Sequence, residues 1–115
     1  MAEQSQLPSY QIAANGQIEP LKWESQMRVE LDIPEYDPEH GLRLPVVFGA
    51  VIEAVRQPSE LVIRANEAGL RLIAGQLLAM AQNGVPAGTH LHFDAGSGLE
   101  DGSAAFIVER TDRTV

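Results

Sequence analysis

Asn66-Glu67-Ala68-Gly69-Leu70-Arg71-Leu72-Ile73-Ala74-Gly75-Gln76-Leu77-Leu78-Ala79-Met80-Ala81 is the stretch on which the fold turns. Leu70, Ile73, Ala74, Leu77, Leu78 and Ala81 recur at i, i+3, i+4, i+7, i+8 and i+11, a single stripe at helical period. Asn66 stands where an N-cap belongs, and Glu67 follows in the first turn, where a negative charge suits the helix dipole. Asn83-Gly84 supplies the stop and Pro86 forbids continuation. The spacing predicts one amphipathic helix.

On both sides of the helix the period changes to two. Upstream, Leu61, Val62 and Ile63 lie in a short run, Glu60 to Ala65, preceded by the turn Gln57-Pro58-Ser59. Val46 to Val55 is apolar on both faces and reads as a strand, with Val51 to Arg56 open to a short helix instead. Met27, Val29, Leu31 and Ile33 alternate with Arg28, Glu30 and Asp32, and Pro34 ends that run. Downstream, Leu91 and Phe93 alternate with His90, His92 and Asp94. Past the Gly-rich loop Ala95 to Gly102, Phe106 and Val108 can cover the same core. The expected fold is α+β, with two layers: a mainly antiparallel sheet of four to five strands and one amphipathic helix packed on one face.

The chain has 115 residues, enough for a single modest core, and residues 26–115 are read as that domain. Residues 1–25 read as an irregular lead-in, with a short hairpin about Asn15-Gly16 between Tyr10-Gln11-Ile12 and Gln17-Ile18-Glu19, and with Trp23 as an anchor. Met1 to Gln6 has neither a basic nor an apolar region of the signal-peptide kind, so a cytoplasmic location is expected. With no cysteine, disulfide frameworks and cysteine–zinc sites are excluded.

Sixteen acids against eight Lys and Arg give a net charge of −8. That balance argues against nucleic acid and against an anionic membrane, and it favours a basic protein partner. The charge is concentrated: the ten residues Glu30 to Glu39 carry five acids and no base. Glu30, Asp32, Glu35, Asp37 and Glu39, with Tyr36 among them as an amphipathic anchor, are the candidate docking residues.

His90-x-His92-x-Asp94 places two imidazoles and a carboxylate on one strand face, about 7 Å from one to the next. Two His and one carboxylate suit a divalent metal, and a metal-binding module or metal-dependent enzyme on these three residues is the alternative reading. The plain alternative is a solvated strand face. Ser97 lacks the surroundings of a nucleophile, Asp94, Glu100 and Asp101 read as solvated loop acids, and no phosphate or dinucleotide fingerprint occurs. No cofactor and no enzymatic activity are expected.

The C-terminal half carries three motifs in succession: Asn66-Glu67-Ala68-Gly69-Leu70 opening the helix, Val85-Pro86-Ala87-Gly88-Thr89-His90-Leu91-His92-Phe93-Asp94, and Gly98-Leu99-Glu100-Asp101-Gly102-Ser103. Over about Glu60 to Glu109 this resembles the immunity protein 32 family of bacterial polymorphic toxin systems. The resemblance implies a cytoplasmic protein that binds and neutralises a cognate toxin, often a nuclease. It adds His90, His92, Asp94, Glu100 and Asp101 to the candidate partner-binding residues, along with Gly98 and Leu99 of the motif.

Overall fold

The computed structural model describes residues 10–12, 14–20 and 26–113. The chain falls into two compact units, Met1–Glu30 and Leu31–Val115. In the first, β1 (Tyr10–Ile12) and β2 (Ile18–Pro20) pair antiparallel, with Ile12 opposite Ile18. The turn is the expected Asn15-Gly16: Gly16 takes a positive φ of 86°, and Asn15 Oδ1 accepts from the Gln17 amide at 2.9 Å. The anchor read at Trp23 lies outside the described residues.

The second unit is built from β3 (Ile52–Arg56), β4 (Leu61–Ala65), α1 (Glu67–Met80), β5 (His90–Phe93) and β6 (Phe106–Glu109). The expected sheet of four to five strands does not form. Among the described residues β3 pairs only with β4, and β5 only with β6, as two antiparallel ribbons. The free edge of β3 is taken instead by the loop before β6. Glu100 N donates to Ile52 O and Ala104 N to Ala54 O, both at 2.8 Å, while Ser103 Oγ accepts from Ala54 N at 3.1 Å. Gly102, at φ 84°, breaks the extended path that a true strand needs there. One side-chain hydroxyl therefore stands in for a ladder carbonyl.

Two expected strands are also revised. Met27 to Ile33 pairs with nothing among the described residues, and Met27 is 83% exposed. Alternation offers a face for burial but supplies no neighbouring strand. The strand expected over Val46 to Val55 begins only at Ile52. Pro45 removes a donor before it and Gly49, at φ 83°, turns the chain. The strand reading of Ile52 to Arg56 prevails over the short helix.

The core gathers Ile52 and Ala54 of β3, Met80 of α1, Leu91 and Phe93 of β5, and Leu99. Phe93 stacks on its cross-strand partner Phe106 with ring centroids 4.7 Å apart and planes 6° apart. The expected alternation of buried Leu91 and Phe93 with exposed His90 and His92 is present.

Helix α1 starts at the expected Asn66 cap, but its expected face is turned. Gly69, Gly75, Ala79 and Met80 point inward. Of the predicted stripe only Ile73 packs against the core, whereas Leu70, Leu78 and Leu77 are 57%, 49% and 39% exposed. Distance of approach explains the turn. A Cβ on Gly69 would lie 2.5 Å from Val51 O and 2.9 Å from Ile52 Cγ1, so only glycine lets the helix lie this close. Leu72 packs on the core beside Ile73, while Leu70, Leu77 and Leu78 are left on the opposite side.

A candidate partner-binding surface

The sequence between Leu31 and Ala50 has no strand or helix, yet it is fixed to α1 at three points. At the C-terminal end, Gln82 holds it with both ends of one amide: Oε1 accepts from Tyr36 N at 2.7 Å, and Nε2 donates to Pro34 O at 3.0 Å. The Tyr36 ring lies near Gly84, where an added Cβ would sit 3.8 Å from two ring carbons. At mid-helix, Gln76 Nε2 donates to Pro45 O at 3.3 Å, and Pro45 lies over Gly75. At the N-terminal end, Asn66 Nδ2 donates to Gly49 O at 3.0 Å. Residues 34–49 therefore form a strap running antiparallel along the whole helix.

Asn66 does more than cap. Its Oδ1 accepts from Gly69 N at 2.7 Å, closing the helix start, and also from Val51 N at 3.0 Å. With the donation to Gly49 it makes three side-chain bonds, which uses both halves of the amide; Asp or Ser lacks the donor pair that Asn brings. The other helix end carries no basic residue in its last turn. Arg110, from beyond β6, supplies that charge: its guanidinium donates to Met80 O at 2.9 Å and Gln82 O at 2.7 Å.

The strap carries the acidic residues near the C-terminal end of α1. Asp32, Glu35 and Glu39 are exposed, and Glu30, exposed too, closes the first unit. Asp37 is different, being the pivot of a closed turn. Its Oδ2 accepts from His40 Nδ1 at 2.7 Å, its Oδ1 from Glu39 N at 2.8 Å, and its carbonyl from Gly41 N at 2.6 Å. The His40 bond first, and the Glu39 amide next, hold its carboxyl below the ordinary value. Arg43 does not neutralise this stretch by pairing with a carboxylate; it donates to the Glu35 carbonyl at 3.1 Å.

The second group of candidates lies apart. No hydrogen bond or ion pair among the described residues joins His90, His92, Asp94, Glu100 or Asp101 to the acidic strap. The His90 and His92 rings meet edge to face at 5.0 Å, and His90 Nδ1 donates to Gly88 O at 3.0 Å. The Asp94 carboxylate is engaged in a local turn: its Oδ1 accepts from Ser97 Oγ at 2.9 Å, and Ser97 Oγ accepts from Asp94 N at 3.0 Å. The metal set read at His90, His92 and Asp94 does not converge. Among the described residues the ligand atoms that come within 4.8 Å of one another are those of Asp37, Glu39 and His40, and Asp37 already spends both oxygens within that turn. Ser97 is likewise structural. Glu100 and Asp101 are exposed and line a shallow hollow with Glu53 and Arg64, which pair at 3.6 Å.

The elements β4, α1, β5 and β6 lie in a stretch that is similar to a known family. Residues 60–111 match the Immunity protein 32 family. The match takes in those four elements, just under half of the chain, and includes Asn66, the helix, the His90–Asp94 strand and the Glu100–Ser103 loop. It leaves out the acidic residues Glu30 to Glu39. No curated protein and no solved structure matches the chain. The Immunity protein 32 match points to a toxin-neutralising binding protein with a protein toxin as partner. No described helix is long and apolar enough to cross a membrane.

Gln82, Arg110 and the strap ties of Asn66 were not legible as site-forming residues. Asn66 gave a signal as a cap, but nothing in sequence spacing joins Gln82 to Tyr36 across 46 residues.

Proposed function

We propose that this chain is a non-catalytic binding protein of the cytoplasm that neutralises a cognate bacterial toxin, its acidic segment Glu30–Glu39 docking on a basic face of that toxin. The observation that carries the reading is the match of residues 60–111 to a family of immunity proteins. The charge of the chain agrees with it: at −8 the protein draws a basic partner inward and repels phosphate-bearing ones. Within the acidic segment the Asp37 carboxylate is bonded to His40, whereas among the described residues Asp32, Glu35 and Glu39 pair with no basic side chain.

Co-purification with candidate toxin domains encoded by neighbouring genes tests the reading. A complex is expected, with an on-rate that falls as salt rises. Neutralising Glu35, Asp37 and Glu39 together, as E35Q, D37N and E39Q, is expected to slow association and flatten the salt dependence. Affinity and salt dependence both unchanged in that variant would remove acidic docking from the account.

A further inference from the structure

We infer that the centre of the partner-binding surface is the outward face of α1, with the acidic strap as its rim; this rests on the toxin-binding reading and names the surface that performs it. A helix in a small domain ordinarily buries its apolar face and shows a polar one. Here Leu70, Ala74, Leu77, Leu78 and Ala81 all face outward, and on that arc only Glu67 and Arg71 are charged. Single exposed leucines are common, but a continuous apolar helix face rimmed by polar residues marks an interaction surface.

Both flanks extend that face. On one side lies the strap, whose Val46 and Phe48 are 85% and 101% exposed and sit between its tie to Gly75 and its tie to Asn66. On the other side Leu77, Met80 and Ala81 meet Val108 and Arg110 across an open groove of about 330 Å³. The surface also differs in charge between its two ends. Gln82 fixes Glu35, and with it Asp37 and Glu39, beside the C-terminal end of the helix, where the dipole is already negative.

Charge selects the occupant. A second copy would bring two bodies of −8 together, which favours the monomer. The surface fits instead a toxin domain presenting an apolar patch that is flanked at one end by Lys and Arg. Apolar burial would then set the lifetime of the complex and the acidic rim its rate of formation.

The experiment measures association and dissociation rates of the full chain with candidate toxin domains encoded by neighbouring genes. Three forms are compared: the parent, a charge-neutral triple variant (Leu70→Gln, Leu77→Gln, Leu78→Gln), and Phe48→Ser on the strap. Circular dichroism verifies that each is folded, and light scattering gives the mass of each alone. The inference expects a monomeric parent that binds, a triple variant at least about tenfold weaker through faster dissociation, and a smaller loss in Phe48→Ser. Binding by the parent with no change in either variant would overturn this surface and leave the toxin-binding reading standing. A parent that binds none of these toxin domains would overturn both. A parent dimer that the triple variant converts to monomer would show that a second copy covers the face, against the inference. Should the triple variant unfold, Phe48→Ser alone decides, since the Phe48 side chain is fully exposed.

Discussion

The two faces of α1 are both apolar, but the glycines lie on the inward one and three of the four leucines on the outward one. The inward face sets Gly69, Gly75 and Ala79 among Leu72, Ile73 and Met80, and the outward face is Leu70, Leu77 and Leu78. Closeness of approach decides the orientation: Gly69 passes under Val51 and Gly75 beside Pro45, and at those two positions only small residues fit. The apolar residues displaced outward are then available for a partner.

The inward face is the easier to break. Gly69→Ala gains about 1 kcal/mol of helix propensity, yet the methyl has to displace the Val51 carbonyl and the Ile52 side chain; a net loss of about 2–3 kcal/mol is expected from denaturant unfolding. Next comes the N-terminal hub. Asn66→Ala removes the cap and both strap bonds and is expected to cost about 2 kcal/mol, whereas Asn66→Asp keeps the acceptor and should cost about half as much.

At the other end of the strap, Gln82→Ala is expected to cost about 1 kcal/mol, and its sharper readout is local. Amide hydrogen exchange at Tyr36 should accelerate while that of Leu91 and Phe93 in the core does not. Uniform acceleration at all three would mean that Gln82 supports the whole unit rather than the strap.

The smallest of these effects is electrostatic. Asp37 has its folded carboxyl held below the unfolded value, so its contribution is present above the unfolded pKa of about 3.9 and fades as pH falls through the lower folded one. Between pH 7 and 5 the contribution of the Asp37 carboxylate's own titration should therefore be unchanged. In an NMR titration the Asp37 midpoint is expected below the ordinary 3.8, and His40→Ala should move it upward. No movement would mean that the His40 bond does not set it.

How much of this was legible in the sequence follows from what periodicity measures. The Asn66 start, the length of α1 and the alternation of Leu91 and Phe93 depend on local spacing and were readable. The partnering of Met27 to Ile33 and of Val46 to Val51 depends on residues far along the chain, so their apolar content suggested strands that do not form. The helix face was misassigned because a stripe count gives leucine weight and glycine none, although Gly69 fixes the orientation. For the candidate surface, the acidity of Glu30 to Glu39 was plain in the sequence. Its position at one end of an apolar helix face was not, because Gln82 makes that connection through a long-range side-chain amide.

The most direct test of the central claim needs no partner. It is the unfolding free energy of the Leu70→Gln, Leu77→Gln, Leu78→Gln chain, a set chosen because Leu and Gln have near-equal helix propensity. With these leucines facing outward, stability should stay within about 1.5 kcal/mol of the parent. A loss of more than about 5 kcal/mol, the scale of several core leucines removed together, would place them in the core and contradict the account.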